Sequence, residues 1–159
     1  MNERIRPIAA RDDGAVEALI RYCLKEFGAD HAGTAWMDPD LGRFSQVYDL
    51  PGRRYWVAED GQGRIVGGVG IGELPGIDGV CELQKMYCLP QARGTGVAQA
   101  LLQTALLFAA RHYRQCYLET LDNMAAAHRF YEKNGFRRID QPLGSTGHTA
   151  CDVKYLKGL

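Results

Sequence analysis

Residues Leu89-Pro90-Gln91-Ala92-Arg93-Gly94-Thr95-Gly96-Val97-Ala98 join a β-like run, residues 81–88, to a long apolar helical stretch, residues 99–113. In such a strand–turn–helix unit the first backbone N–H groups of the helix have no partner inside it. With the helix macrodipole they make a seat for an anion, most often a phosphate. Gly94 and Gly96 carry no Cβ, so a ligand can approach their backbone closely, and Arg93 can add positive charge at the mouth. The turn is not a Walker A loop, because no Gly-Lys-Ser/Thr closes it. Nor is it the dinucleotide Gly-x-Gly-x-x-Gly, because the third glycine is absent. Taken alone it has two readings, a pyrophosphate site or a plain strand-to-helix turn.

Downstream lie Tyr117-Leu118-Glu119-Thr120 and then Ala127-His128-Arg129-Phe130-Tyr131-Glu132-Lys133-Asn134-Gly135-Phe136. The joint order of Arg93-x-x-Gly96-x-Ala98, a helix, a strand and a second helix ending Tyr131-x-x-x-Gly135-Phe136 resembles the GNAT acetyltransferase superfamily. The likeness is sharp over residues 80–140 and loose elsewhere. It implies acetyl-CoA as the phosphate-bearing cosubstrate, with its pyrophosphate on the amides of Arg93, Gly94, Thr95, Gly96, Val97 and Ala98. It also implies that the backbone of Met86, Tyr87 and Cys88 pairs with the pantetheine arm as an added strand would. A bulge there would turn one N–H toward the thioester carbonyl, an oxyanion donor.

Acetyl transfer to an amine needs a neutral amine, an aligned thioester, a stabilised oxyanion and a proton for the leaving thiolate. Alkyl amines are mostly protonated at neutral pH, as lysine is with a pKa of about 10.4. A carboxylate, or a water it holds, is the usual remedy and is worth roughly 10²–10⁴-fold. Glu82, on the strand leading to the turn, is the candidate base, and members of the superfamily often place an acidic base on this strand. With a period of two, Glu82, Gln84 and Met86 share one face if no bulge intervenes. The competing reading makes Glu82 solvent-facing, or a structural partner of Lys85 or an arginine. Glu73 and Glu119, at the ends of neighbouring strands, are weaker alternatives. Tyr131 matches the tyrosine that the resemblance places near the thioester sulfur as general acid to the leaving thiolate. Its bland alternative is a core tyrosine sharing a helix face with Ala127 and Phe130. A phenol of ordinary pKa is protonated at neutral pH and can donate.

One position departs from the family pattern. Many members carry an Asn seven residues before the tyrosine, in contact with pantetheine, where this chain has Met124. Its neighbour Asn123 is turned by about 100° around a helix, so the contact expected at Asn123 runs through the backbone. Cys88 lies beside the same path, but an acyl-cysteine route needs a nearby base and a lowered pKa. The glycines Gly67, Gly68, Gly70 and Gly72 alternate with Val69 and Ile71 with no helix after them, which reads as a strand with close backbone approach or a bulge. The resemblance implies that the loop holding His31 and Trp36 covers the acceptor site, which His148 and Arg54 could also line; the alternative for a lone loop histidine is that it is merely solvated.

The elements that must position these residues follow from pattern. Residues 4–8 read as a strand. Val16, Leu19, Ile20, Cys23, Leu24 and Phe27 recur at helical spacing, with Gly28 as C-cap. Residues 29–37 read as a loop. Asp38-Pro39 reads as a helix start, with Leu41, Phe44 and Tyr48 on the helix and Pro51-Gly52 stopping it. Residues 54–59 and 64–71 form strands around the turn Asp60-Gly61-Gln62-Gly63. A loop over 74–79 precedes a fourth strand over 80–88. Ala98, Leu101, Leu102, Ala105, Phe108 and Ala109 share one face of the long helix. Residues 115–119 make a fifth strand. Asp122 or Asn123 caps the next helix, which Asn134-Gly135 ends. Residues 136–140 and 150–157 are the last strands, around a Gly/Ser/Thr-rich loop at 142–148. The order β-α-α-β-β-β-α-β-α-β-β is a mixed α/β sheet. With the resemblance it predicts a twisted, mostly antiparallel sheet of about seven strands flanked by four helices, one domain over residues 1–159.

The chain has 159 residues, long enough to bury a core without staples. Nineteen basic and nineteen acidic residues cancel, so no global field draws nucleic acid. The five cysteines, Cys23, Cys81, Cys88, Cys116 and Cys151, are scattered without Cys-x-x-Cys spacing, indicating neither a disulfide framework nor a zinc site. Four of them sit in apolar runs and read as small core residues. No apolar signal region opens the chain, and its longest apolar run, residues 105–110, is far short of a membrane span. A cytoplasmic protein with no membrane partner is the expectation. The leading reading is an N-acetyltransferase acting on a small-molecule or peptide amine by direct attack in a ternary complex, with a homodimer suggested by analogy alone. The alternatives are a non-catalytic acetyl-CoA-binding module and a toxin that acetylates charged tRNA. The latter would need a local patch such as Arg111, His112, Arg114, Arg129, Arg137 and Arg138.

Overall fold

In the computed structural model, residues 3–144 and 151–159 are described. The elements run β1 (Arg4–Pro7), α1 (Asp13–Glu26), α2 (Phe44–Val47), β2 (Arg54–Glu59), β3 (Ile65–Glu73), β4 (Val80–Cys88), α3 (Val97–His112), β5 (Gln115–Thr120), α4 (Ala125–Lys133), β6 (Arg137–Ile139) and β7 (Val153–Gly158). The strands form a seven-stranded sheet in the order β1-β2-β3-β4-β5-β7-β6. Every neighbouring pair is antiparallel except β4–β5, which is parallel. A parallel pair needs a crossover rather than a hairpin, and α3 supplies it.

Period-two alternation sorts the sheet into two faces. On β2, Trp56 and Ala58 join a core with Leu101, Leu102, Ala105 and Phe108 of α3. Tyr55 and Val57 face the other way, into a core with Val16, Leu19, Ile20 and Leu24 of α1 and Phe44 of α2. The helices therefore cover opposite faces, α3 and α4 on one and α1 and α2 on the other. Of the five cysteines, Cys23, Cys81 and Cys116 are buried, while Cys88 and Cys151 are half-buried.

Two expected helix starts are corrected. Asp38-Pro39 does not open a helix: Asp38 Oδ1 accepts the Asp40 N–H at 2.9 Å, a local bond that competes with winding. Gly42 then adopts φ 90°, a left-handed turn, so α2 begins at Phe44 and spans four residues. Neither Asp122 nor Asn123 caps α4. Met124 holds the N-cap position with no side-chain cap. Asn123 instead donates Nδ2–H to the Phe27 carbonyl at 2.9 Å, one of the orphan carbonyls at the end of α1.

Candidate active site

Strands β4 and β5 pair only at Val80–Gln115, Cys81–Cys116 and Glu82–Tyr117. Beyond Glu82 they diverge, and a cleft of about 370 Å³ opens between residues 83–88 on one side and Leu118, Glu119, Thr120 and Leu121 on the other. Such a gap beyond the carboxyl ends of parallel strands is where open α/β sheets bind ligands. Glu82 and Tyr131 both line it, as do Met86, Tyr87, Cys88, Arg93, Gly94 and Ala98. These residues, from three separate elements, meet in one place, whereas Thr95, Gly96 and Val97 of the glycine turn do not line the cleft. Met124 lines the cleft, while the Asn123 side chain is turned away to the Phe27 carbonyl, so the side chain is committed elsewhere and a cosubstrate contact there would run through the backbone.

A bulge in β4 re-aims its side chains. Gly68 of β3 pairs with Tyr87 and Gly70 with Gln84, so one residue of β3 opposes two of β4, and Lys85 takes φ 49°. The Tyr55 hydroxyl donates to the Lys85 carbonyl at 2.8 Å and secures the turn. The expected shared face of Glu82, Gln84 and Met86 is broken by this bulge. Met86 and Cys88 pack with Cys81 and Leu83 on the α3 side, while Glu82 stays on the α1/α2 side. A bulge is thus present, but its left-handed residue is Lys85, just ahead of the 86–88 segment where one was sought.

Glu82 is 5% exposed. Burial pushes its carboxyl up to about 7; the amide of Gln84 and the charge of Lys85 pull the other way, and Glu119 adds to the rise. A carboxyl poised near neutrality suits a general base. Glu82 also lines a second cavity of about 400 Å³, together with Thr34, Asp38, Asp40, Phe44, Tyr48, Arg53 and Glu73. In it Lys85 Nζ lies 3.1 Å from Asp38 Oδ2, and Arg53 forms a two-pronged pair with Glu73. That pairing holds the Glu73 carboxyl below the usual range, which makes Glu73 a poor base. Glu119 accepts the Tyr117 hydroxyl at 2.6 Å.

Tyr131 is 8% exposed, on the far side of the sheet from Glu82, with its ring near those of Phe130, Phe136 and Tyr155 at 5.6, 5.7 and 6.2 Å. Burial raises its phenol above the ordinary value, so it is a proton donor at neutral pH. Burial also pushes the Cys88 thiol up to about 12 and that of Cys151 to about 11, and neither is a ready nucleophile.

At the glycine turn, Gly94 and Gly96 adopt φ 75° and 93°. Gly96 caps α3 without a side-chain bond, and the first backbone bond of the helix runs from the Ala100 N–H to the Gly96 carbonyl at 3.0 Å. The preceding amides are left for an anion. The Thr95 hydroxyl is turned back to the Ala92 carbonyl. Arg93 does not stand free at the mouth: it grips Glu26 of α1 through both Nη atoms at 2.7 Å and donates Nε–H to the Cys88 carbonyl at 3.1 Å. Its charge is spent on α1, so the anion seat rests on the backbone.

Of the loop residues, Trp36 is covered by Arg21 at 4.5 Å and Lys25 at 5.8 Å, and the Arg54 guanidinium lies 5.1 Å from the Phe108 ring. His31 is exposed and bonded to the Ala32 carbonyl. None of these three lines either cavity. His148 lies outside the described residues. Among the described residues no cluster suited to a metal ion occurs, and no helix is long and apolar enough to cross a membrane.

With this geometry in place, comparison with known proteins is decisive. Residues 51–138 match the family described as "Acetyltransferase (GNAT) domain". An uncharacterized N-acetyltransferase of Escherichia coli, YjgM, is 42% identical over 98% of this chain and 94% of its own length. The chain belongs to the GNAT acetyltransferase family. A GNAT acetyltransferase from Staphylococcus aureus has the same fold, with a TM-score of 0.88 over 99% of both chains at 22% identity. A Salmonella typhimurium acetyltransferase solved with acetyl-CoA superposes with a TM-score of 0.76 over 98% of this chain and 92% of its own, at 20% identity.

Within this GNAT chain, several residues of the site carry no motif. Gln84 donates Nε2–H to Glu82 Oε1 at 2.7 Å and accepts the Tyr48 hydroxyl at 2.7 Å. Gln99, in the first turn of α3, exchanges hydrogen bonds of 2.8 and 3.1 Å with Asn134, tying the helix of Tyr131 to the glycine turn. The one sequence signal for the first group is the glycine run of β3: a Cβ at Gly70 would lie 2.9 Å from the Tyr48 ring, and one at Gly68 2.6 Å from the Tyr55 hydroxyl.

Proposed function

We propose that this chain, acting as one unit over residues 1–159, is an acetyl-CoA-dependent N-acetyltransferase that passes the acetyl group directly to a primary amine of a small molecule or peptide. The observation that carries this reading is that a buried carboxyl near its titration point and a protonated phenol line one cleft, with a glycine-bearing helix start at its mouth. Acetyl-CoA fits what lines that cleft. The amides of Arg93, Gly94, Thr95, Gly96, Val97 and Ala98 take the pyrophosphate, and Met86, Tyr87 and Cys88 take the pantetheine arm on the edge of β4 that β5 leaves unpaired. That a structural neighbour was solved with acetyl-CoA supports the assignment.

The acceptor comes through the second cavity, which shares Thr34, Glu82, Gln84 and Lys85 with the first. Asp38, Asp40, Glu73 and Glu82 line it against Arg53 and Lys85, each of which is paired with a carboxylate. This lining favours an ammonium. Glu82 takes a proton from the bound ammonium to give the neutral amine; the nitrogen then bonds to the acetyl carbon and gives up its second proton to solvent. An N–H of the bulged segment of β4 stabilises the carbonyl oxygen as charge builds on it. Tyr131 gives its phenolic proton to the sulfur as the C–S bond breaks, and solvent later restores it.

Isotope-labelled acetyl-CoA incubated with a pool of amines, amino acids, polyamines, aminoglycosides and peptides tests this by mass spectrometry. The expected result is one class of labelled amide. Saturable acetyl-CoA binding with no labelled product from any member would make the chain a binding module instead. Gly96→Ala probes the cosubstrate half: at φ 93° an alanine is strained by about 1–2 kcal/mol, so the amides shift. We expect acetyl-CoA affinity by calorimetry to fall about tenfold, the equivalent of about 1.4 kcal/mol.

A further inference from the structure

The hydrogen-bond chain Tyr48–Gln84–Glu82 and the glycines of β3 form one device. Gly68, Gly70 and Gly72 sit at alternate positions on the face of β3 turned to α1 and α2. Each makes room for one group. A Cβ at Gly68 would meet Tyr55, one at Gly70 would meet both Tyr55 and Tyr48, and one at Gly72 would lie 2.9 Å from Gln84 Oε1 and 3.1 Å from its Nε2. The Tyr48 and Tyr55 rings lie 5.3 Å apart, tilted at 51°, on this bed. From it Tyr55 reaches the Lys85 carbonyl in the bulge and Tyr48 reaches Gln84. Donor and acceptor roles are fixed along the chain. A tyrosine hydroxyl donating to Gln84 Oε1 leaves its Nε2 to donate to Glu82 Oε1; the flipped amide would set an oxygen against the carboxylate. No bond from a described residue reaches Glu82 Oε2, although the residue is 5% exposed and lines both cavities.

We infer that Tyr48 and Gln84 are positioning residues for the transfer. They hold the Glu82 carboxyl by one oxygen so that the other is presented to the acceptor, and the glycine stripe of β3 is the bed on which they lie. This rests on the reading of Glu82 as the base. Gln84 and Lys85 on β4 and Glu119 on β5 act on Glu82, and the titratable groups that in turn feel its charge are Cys116 and Tyr117 on β5, Tyr48 just after α2, and Cys151 ahead of β7. Of these, Gln84 is the one bonded directly to the carboxyl in the described structure, and its amide favours the ionised form. Removing that amide raises the titration point.

The test is the titration of Glu82 by NMR of protein labelled with ¹³C at glutamate carboxyls, assigned by Glu82→Gln, which needs no acceptor. Gln84→Met keeps the length of the side chain and loses the donor; it is expected to move the midpoint up by about one pH unit. Tyr48→Phe keeps the ring and frees the amide to flip, for about half that shift. Gly72→Ala, which displaces the amide, moves it in the same direction without touching either residue. In acetyl transfer the acid limb of kcat/KM moves with the midpoint, while KM for acetyl-CoA stays put. An unmoved Glu82 midpoint in folded Gln84→Met and Gly72→Ala would overturn the positioning role. A midpoint that shifts while the pH profile of transfer does not would uphold the hold on Glu82 and overturn the reading of Glu82 as the base.

Discussion

Replacing Glu82 by glutamine is expected to lower kcat/KM for acetyl transfer by about 10²–10⁴-fold and to abolish its acid limb. In the native chain Glu82 titrates at about 7, so kcat/KM rises about tenfold per pH unit below that point and levels off above it. The glutamine keeps the hydrogen bond from Gln84 and cannot accept the proton. The same substitution has a stability signature of defined sign. The carboxyl ionises at about 7 when folded, against the ordinary glutamate value of 4.5 in the unfolded chain. Between those values the folded state holds the extra proton, so the protein loses stability as pH rises through this window and the loss is complete above it. At about 1.4 kcal/mol per unit the loss approaches about 3 kcal/mol. Urea unfolding of Glu82→Gln should therefore show the variant more stable than the native chain at pH 8 and little different at pH 4.5. A variant equally active at all pH values, or less stable at pH 8, would contradict the role given to this buried carboxyl.

Tyr131→Phe is expected to lower kcat by about 10²-fold, the lower end of general-acid effects, with KM for acetyl-CoA unchanged. The modest size follows from the leaving group: an alkyl thiol has a pKa of about 8.5 and departs more readily than an alkoxide. The loss should shrink further for an acetyl thioester of a more acidic thiol, because such a sulfur needs less help. Packing alone does not predict that dependence. The ring contacts with Phe130, Phe136 and Tyr155 survive in phenylalanine, so the fold is retained. Because burial raises the phenol, native kcat should show no basic limb from Tyr131 below about pH 10. An unchanged kcat in the variant, or a constant loss across thioesters, would remove Tyr131 as the acid.

What could be read from the sequence was local. β4 spans the expected Val80–Cys88, and α3 starts at Val97, two residues ahead of the expected 99, because both carry strong periodic patterns. The glycine turn was visible as a turn because Gly94 and Gly96 take the left-handed conformation that their lack of a side chain permits. The contacts that sharpen the site are between residues far apart in the chain. Arg93 looked like an anion ligand, and only the fold brings Glu26, 67 residues away, to neutralise it. The bulge at Lys85 is held by Tyr55, 30 residues earlier, and no period in β4 announces it. Gln84 looked like a face-mate of Glu82, and its amide bond to that carboxyl became visible only with Tyr48 docked over Gly70. The glycines of β3 did signal close approach, without naming what approaches. At Asp38-Pro39 the local signal misled, since an aspartate that can cap a helix can equally close a turn on itself.

The most direct check on the central claim, that the cleft between β4 and β5 is the acetyl-CoA site, is an NMR titration of the ¹⁵N-labelled chain with acetyl-CoA. The account predicts saturable shifts concentrated on the amides of residues 93–98 and 86–88, with Tyr131 and Met124 following in the same binding curve. Shifts confined to other surfaces, or none along those two segments at saturating acetyl-CoA, would contradict it.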